Sequence, residues 1–192
     1  MNIENAQQKI IEEISSFNYS GKPFIIAIDG RCASCKTTFA EKLSAALGAP
    51  VIHADDFFLQ PFQRTEKRLS AAGENVDWER IKNQVLVPLS RGETAAFRKF
   101  DCHTMSFGKE IVVPPAKAII IEGTYCLNKN LADYYSLTVF MTVSPETQLG
   151  RIVKRNGMEG ATAFKQKWIP LEEKYFSAYD LQSRCKLVIN TD

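Results

Sequence analysis

The chain has 192 residues, 45% hydrophobic and 24% charged, which is apolar material for one well-buried core and too little length for two ordinary domains. Its formal net charge of +2 supplies no broad basic field of the kind that holds a polyanion, so nucleic acid is not expected as a partner and any anion site should be local. No apolar run approaches the roughly 20 residues of a membrane helix, and the stretch from Met1 to Phe17 is amphipathic and acidic where a signal peptide would be basic, then apolar, so a cytoplasmic protein with no membrane partner is expected.

Ile3, Ala6, Ile10, Ile11, Ile14 and Phe17 recur at helical spacing and predict an N-terminal amphipathic helix over 2–17, ended before Gly21. Phe24 to Ile28 is a continuous apolar run too short for a helix, the pattern of a parallel strand buried on both faces. From Lys36 to Leu47, Phe39, Leu43 and Leu47 share a stripe and Gly48 stands at the stop, which predicts a helix. Pro50 to His53, Ala118 to Ile121, Leu137 to Val143 and Leu187 to Asn190 read as further strands. The segment from Phe58 to Asn75 is polar and contains Gly, which predicts a mobile loop. Asp77 to Leu89 predicts a helix with Ile81, Val85 and Leu89 inward and its last turn bent or shortened by Pro88. Ser144-Pro145-Glu146 has the cap, first-position proline and first-turn acid of another helix, expected to end near Gly157. Repeated strand-then-helix order makes the fold class α/β, a five-stranded parallel sheet with helices on both faces, and the phosphate loop described next makes the expectation a three-layer P-loop NTPase fold with a short lid over about 151–162.

Gly30-Arg31-Cys32-Ala33-Ser34-Cys35-Lys36-Thr37 matches the phosphate-loop pattern G-x-x-x-x-G-K-[ST] at every fixed position but one, because Cys35 stands where the second glycine belongs. The preceding buried strand and following helix supply the right context. Loop N–H groups would face a phosphate at a helix N-terminus, Lys36 would reach the β- and γ-phosphates, and Thr37 would set its hydroxyl on Mg²⁺, with Thr38 next in line at the nucleotide. A Cβ at position 35 should crowd the phosphates, which predicts weaker ATP binding than a glycine would give. Cys32 and Cys35 also form a C-x-x-C; Lys36 and the helix N-terminus should lower their thiol pKa, so oxidation that blocks the ATP site stands beside an incidental reading. Five cysteines, an odd number in a chain able to build a core, argue for reduced thiols.

Later strands discriminate among ATP-using proteins. Val51-Ile52-His53-Ala54 runs into Asp55-Asp56, which puts a carboxylate at a strand's C-terminal end beside the loop; Asp55 is a candidate base for an acceptor hydroxyl, against the plain reading of a solvated turn. Ala118 to Ile121 ends in Glu122, able to hold Mg²⁺ directly or through water, or merely to cap a helix. Arg151 and Arg155 are four apart on one helix face and could close over the triphosphate as lid residues, or form an ordinary solvated face.

The set IDGRCASCKTT, HADDFF, NVDWERI, FRKFD, IIIEGTY and the Arg151/Arg155 helix, in that order, resembles the uridine kinase and phosphoribulokinase group of P-loop kinases, over nearly the whole chain. The resemblance implies transfer of the γ-phosphoryl group of ATP to a hydroxyl, with Asp55 as the activating base and Thr37, Asp55 and Glu122 around Mg²⁺. It also assigns Asp77 to the vicinal hydroxyls of a ribose, and places Arg98 and His103 near the acceptor. A ribonucleoside is the leading acceptor. Cys35 and the region after Phe100-Asp101 depart from the group's pattern, which keeps two alternatives: a kinase for a pantothenate-like alcohol or a sugar phosphate, and a catalytically impaired ligand sensor. A homo-oligomer stays open.

Overall fold

A computed structural model describes residues 1–192. Five parallel strands form one sheet: β1 (Phe24–Gly30), β2 (Val51–His53), β5 (Ala118–Glu122), β6 (Leu137–Thr142) and β7 (Leu187–Asn190), in the order β2-β5-β1-β6-β7. Burial follows position in that order. Every residue of the two central strands β1 and β5 is buried, whereas edge strands β2 and β7 alternate, as their sequences do.

Side-chain alternation along β1 divides the core. Ile26 and Ile28 face α1 (Ile3–Ser16) and α2 (Lys36–Leu47), packing with Ile10, Ile14, Phe39 and Leu43. Ile25 and Ala27 face the opposite layer, packing with Ile81, Val85, Leu86, Tyr175 and Phe176. Each fully buried Ile, Leu or Phe contributes roughly 1.5 to 3 kcal/mol relative to exposure, so both layers are held by apolar area. The parallel register sets Ile28 beside Glu122 on one side and Val139 on the other, which aligns the C-terminal ends of β1 and β5 where the site will form.

Four expectations need correction. A two-stranded antiparallel hairpin, β3 (Ala95–Asp101) with β4 (Ser106–Val113), stands beside the sheet where no strand was expected. The segment after Phe58 is built rather than loose: Pro61–Gln63 is a 3₁₀ turn, Glu66–Ser70 a short helix capped by Thr65, and Leu59 is buried. The helix at Pro88 is neither broken nor short. Trp78–Arg80, Ile81–Leu86 and Val87–Ser90 form one continuous helix, α3, whose middle is π-helical and in which Val87 N–H donates to Lys82 O. A proline lacks an N–H and its ring collides with the carbonyl four residues back, and an i→i−5 turn just before it removes both conflicts.

The same device recurs at Pro170. In α4 (Pro145–Ala163), capped by Ser144, the first helix does stop at Gly157, at φ 71° and ψ 176°, as expected, but a second helix resumes directly after the kink, which was not. It runs on through a π segment, Phe164–Trp168, into α5 (Ile169–Tyr179), where Ile169 N–H donates to Phe164 O immediately ahead of Pro170. A Gly is needed at 157 because that φ lies where side chains are strained. No helix is long and apolar enough to cross a membrane.

Candidate active site

Gly30 to Thr37 turns from the end of β1 into the start of α2. Gly30 has φ 136°, and a Cβ there would lie inside the backbone of Met141 on the neighbouring strand, so the first loop glycine is required by space and by dihedral. Cys35 sits at φ 65°, ψ 26°, the left-handed region, as the residue before α2. The pattern asks for glycine there chiefly because of that backbone, and a non-glycine residue costs about 1 to 2 kcal/mol in it. Its side chain is exposed on the cleft wall. Lys36 is 9% exposed, and its ammonium donates to Gly30 O and Arg31 O, both at 2.8 Å, which plants the cation in the centre of the loop.

A cleft of about 1420 Å³ opens above the C-terminal ends of the strands, lined by residues that include Cys32 to Thr38, Asp55, His103, Glu122, Arg151 and Arg155. At its floor Thr37 Oγ1 donates to Glu122 Oε1 at 3.2 Å, and His53 Nδ1 lies 2.5 Å from the same oxygen. Asp55 is exposed to the cleft, and partial desolvation by the cleft walls and then the nearby Glu122 carboxylate push its pKa up, while Lys36 opposes them. Its hydrogen bond to Glu122 raises the His53 pKa. Two crowded carboxylates and a hydroxyl make a hard-oxygen corner of the kind Mg²⁺ accepts, since that ion keeps waters and substrate oxygens and needs few protein ligands. The residues present fit the ion.

The other predicted residues divide. Arg155 lines the cleft, its guanidinium 5.6 Å from the Phe164 ring centre, and donates to Asn156 Oδ1. Arg151 also reaches the cleft, but its guanidinium donates to Ala33 O, at 3.1 Å, and to the Thr191 hydroxyl and carbonyl, so it braces the phosphate loop against the chain's end. His103 lines the cleft from the turn between β3 and β4. Arg98 does not: its guanidinium donates to the Gly108 and Phe107 carbonyls within the hairpin. Asp77 is 1% exposed and off the cleft wall; one oxygen caps α3 by accepting Arg80 N–H at 3.1 Å.

Several contacts that hold the loop are between residues far apart in sequence. Asp29 is fully buried and accepts hydrogen bonds from Gly30 N–H, Leu127 N–H at 3.0 Å and Tyr175 O–H at 2.9 Å; burial nonetheless lifts its pKa to about 6. From α5, Glu172 accepts Cys32 N–H at 3.0 Å and Glu173 pairs with Arg31, while Gln148 donates to Cys32 O. Cys32 is buried, and burial with the Glu172 charge beside it drives its thiol up to about 12, the reverse of the activated thiol expected of the C-x-x-C. All five cysteines are free.

No protein-family model matches the chain. It is 25% identical over 162 residues to uridine-cytidine kinase 2-B of Danio rerio, a match that takes in 76% of this chain and 62% of that protein, so the chain spans less than two thirds of the relative's length. Among solved structures, a candidate fructose transport system kinase from a Silicibacter species superposes with a TM-score of 0.75, 20% identity and 98% of each chain covered. A possible uridine kinase from Bacillus stearothermophilus gives 0.68 at 19% identity, over 98% of this chain and all of that one. A D-glycerate 3-kinase from Cryptococcus neoformans gives 0.68 at 14% identity, over 98% and 95%. The fold is that of the P-loop kinases, and the resemblance to the uridine kinase and phosphoribulokinase group holds in sequence as in motif order.

Proposed function

We propose that the chain is a small-molecule kinase that transfers the γ-phosphoryl group of ATP to an acceptor hydroxyl, with the 5′-hydroxyl of a ribonucleoside as the first acceptor to test. The observation that carries this reading is the convergence of Lys36, Thr37, Asp55 and Glu122 on one cleft floor. Those side chains have little packing value there and the charges that in-line phosphoryl transfer uses. Thr37, Asp55 and Glu122 would hold Mg²⁺, which when bound would offset the charge of the phosphates.

The roles follow from geometry. Lys36, fixed by two loop carbonyls, meets the phosphates without reorganising. Asp55 faces the cleft beyond Lys36, and its raised pKa brings it toward that of an effective proton acceptor for a hydroxyl. Arg155 is the mobile cation of the lid, which Gly157 hinges. Arg151 supports the loop more than it reaches across it.

An ATP-to-ADP assay with Mg²⁺ over ribonucleosides, pantothenate and sugar phosphates, on this chain and on Cys35→Gly, tests the proposal. Acceptor-dependent turnover by both supports it. Turnover by neither removes it, and turnover by the glycine form alone favours a ligand sensor that has lost productive ATP binding.

A further inference from the structure

Four cations of the hairpin and the segments packed on it lie off the cleft wall, each already engaged. Lys99 pairs with Asp56 at 2.7 Å. Arg68 grips both oxygens of Glu79, at 2.9 and 2.6 Å. Arg80 is 9% exposed, stacked between the Phe57 and Phe107 rings at 5.0 and 4.8 Å, and donates to Arg98 O. Arg98 is committed to hairpin carbonyls.

Arg64 differs. Unlike those four it lines the cleft, where it is exposed and has no carboxylate partner, although Glu66 lines the cleft too. Its Nε donates to Leu59 O at 2.9 Å and one Nη meets the Cys102 sulfur at 3.5 Å, so the plane of the guanidinium is set from two sides while Nη1 donates to nothing in the chain. His103 adjoins Cys102 on the hairpin turn, which Asp101 fixes by accepting His103 N–H at 2.7 Å, and its imidazole also lines the cleft. The same cleft wall includes the buried Leu59 and Val76 and the exposed Phe58 and Leu69.

A planar fork held in place at one edge and open at the other matches the paired oxygens of a carboxylate or phosphate, and a neutral hydroxyl uses it poorly. Asp77, the carboxylate that would accept a ribose diol, is meanwhile buried off the cleft wall, with one oxygen on the cap of α3 and the other unpartnered. We infer that the acceptor is a small hydroxyl compound bearing an oxyanion, and that Arg64, with His103 beside it, reads that group. The inference rests on the kinase reading above and chooses within it, for an anionic polyol over a neutral nucleoside.

Calorimetry on the full chain, saturated with Mg²⁺ and a non-hydrolysable ATP analogue, tests it. The probes are ribose 5-phosphate against ribose, D-glycerate against glycerol, and uridine. At least one charged probe should bind about tenfold or more tighter than its neutral counterpart, as expected for a hydrogen-bonded charge pair, and which one does so separates phosphate from carboxylate. Arg64→Met should erase that preference and leave the analogue's affinity unchanged, while Arg64→Lys, which keeps the charge and loses the fork, should retain part of it. Charged and neutral probes that bind alike or not at all, uridine binding tighter than either anion, or a preference that survives Arg64→Met would each overturn the inference. Failure of the ATP analogue itself to bind would overturn the kinase reading instead.

Discussion

Replacing Cys35 by glycine separates two effects of the side chain that the phosphate loop is not expected to carry. The residue occupies the left-handed region at φ 65°, where a Cβ costs about 1 to 2 kcal/mol. Glycine removes that strain but adds freedom to the unfolded chain, worth about 0.4 to 1 kcal/mol in the opposite direction. The net gain is therefore on the order of 0.5 to 1 kcal/mol, and for a chain of this length that raises Tm by about 1 to 4 °C. Cys35→Ala is the control, because alanine keeps the Cβ and loses the sulfur. It should melt with the parent, whereas its ATP affinity should move toward that of Cys35→Gly to the extent that sulfur bulk crowds the phosphates. Thermal unfolding and ATP titration on the three proteins give both readings. If Cys35→Gly melts at or below the parent, or Cys35→Ala melts with the glycine form, backbone strain is not what the glycine of this pattern relieves.

Asp55→Ala should lower turnover by about 10² to 10⁴, the usual contribution of a positioned base, with ATP affinity changed much less; equal losses in both would make Asp55 a metal ligand and nothing more. Glu172→Gln keeps an oxygen for Cys32 N–H and removes a buried negative charge from beside the loop. It should tighten ATP binding by about tenfold, the scale of one charge at intermediate dielectric, and unchanged or weaker binding would refute a repulsive role. Burial holds the Asp29 proton with a pKa of about 6 in place of 3.8, so the folded chain binds that proton more tightly than the unfolded one. The resulting stabilisation is complete below pH 4 and is lost as pH rises through 6, by roughly 3 kcal/mol. Urea midpoints of the parent and Asp29→Asn, followed from pH 4 to 7, should diverge accordingly; parallel curves would contradict the burial argument. The shifts of Asp55 and Glu172 act in the same direction in both proteins and cancel in that comparison.

The central strands were legible because burial on both faces leaves an unbroken apolar run, Phe24 to Ile28 in β1 and Ala118 to Ile121 in β5. The hairpin was not. In β3 the register shifts between Arg98 and Phe100, which interrupts the alternation that identifies a strand, and nearly all of β4 is exposed, so its sequence has no inward face to declare. Pro88 predicts a bent or shortened last turn, which holds for an α-turn and not for the π-turn that precedes both it and Pro170. What absorbs them is a change in hydrogen-bond step spread over the preceding five or six residues, and no one residue in those segments encodes it.

The site shows the same division. Lys36, Thr37, Asp55 and Glu122 could be placed because each follows a strand end or opens a helix, and local order fixes where such residues point. Asp77 takes its ribose role only from the resemblance, and the local pattern makes it the first residue of the helix; the helix begins one residue later, at Trp78, which makes Asp77 the cap. Glu172 and Glu173 carried no signal, since each meets its partner across about 140 residues of chain, through the kink and the π-turn that aim α5 at the loop. Arg64 was hidden for a related reason. Several arginines and a lysine have similar sequence context, and only the positions of Glu79, Asp56 and the hairpin carbonyls show which are engaged off the cleft and that Arg64 lines it with Nη1 unused. A charge becomes a recognition element when its neighbours fail to neutralise it, and that is a property of packing.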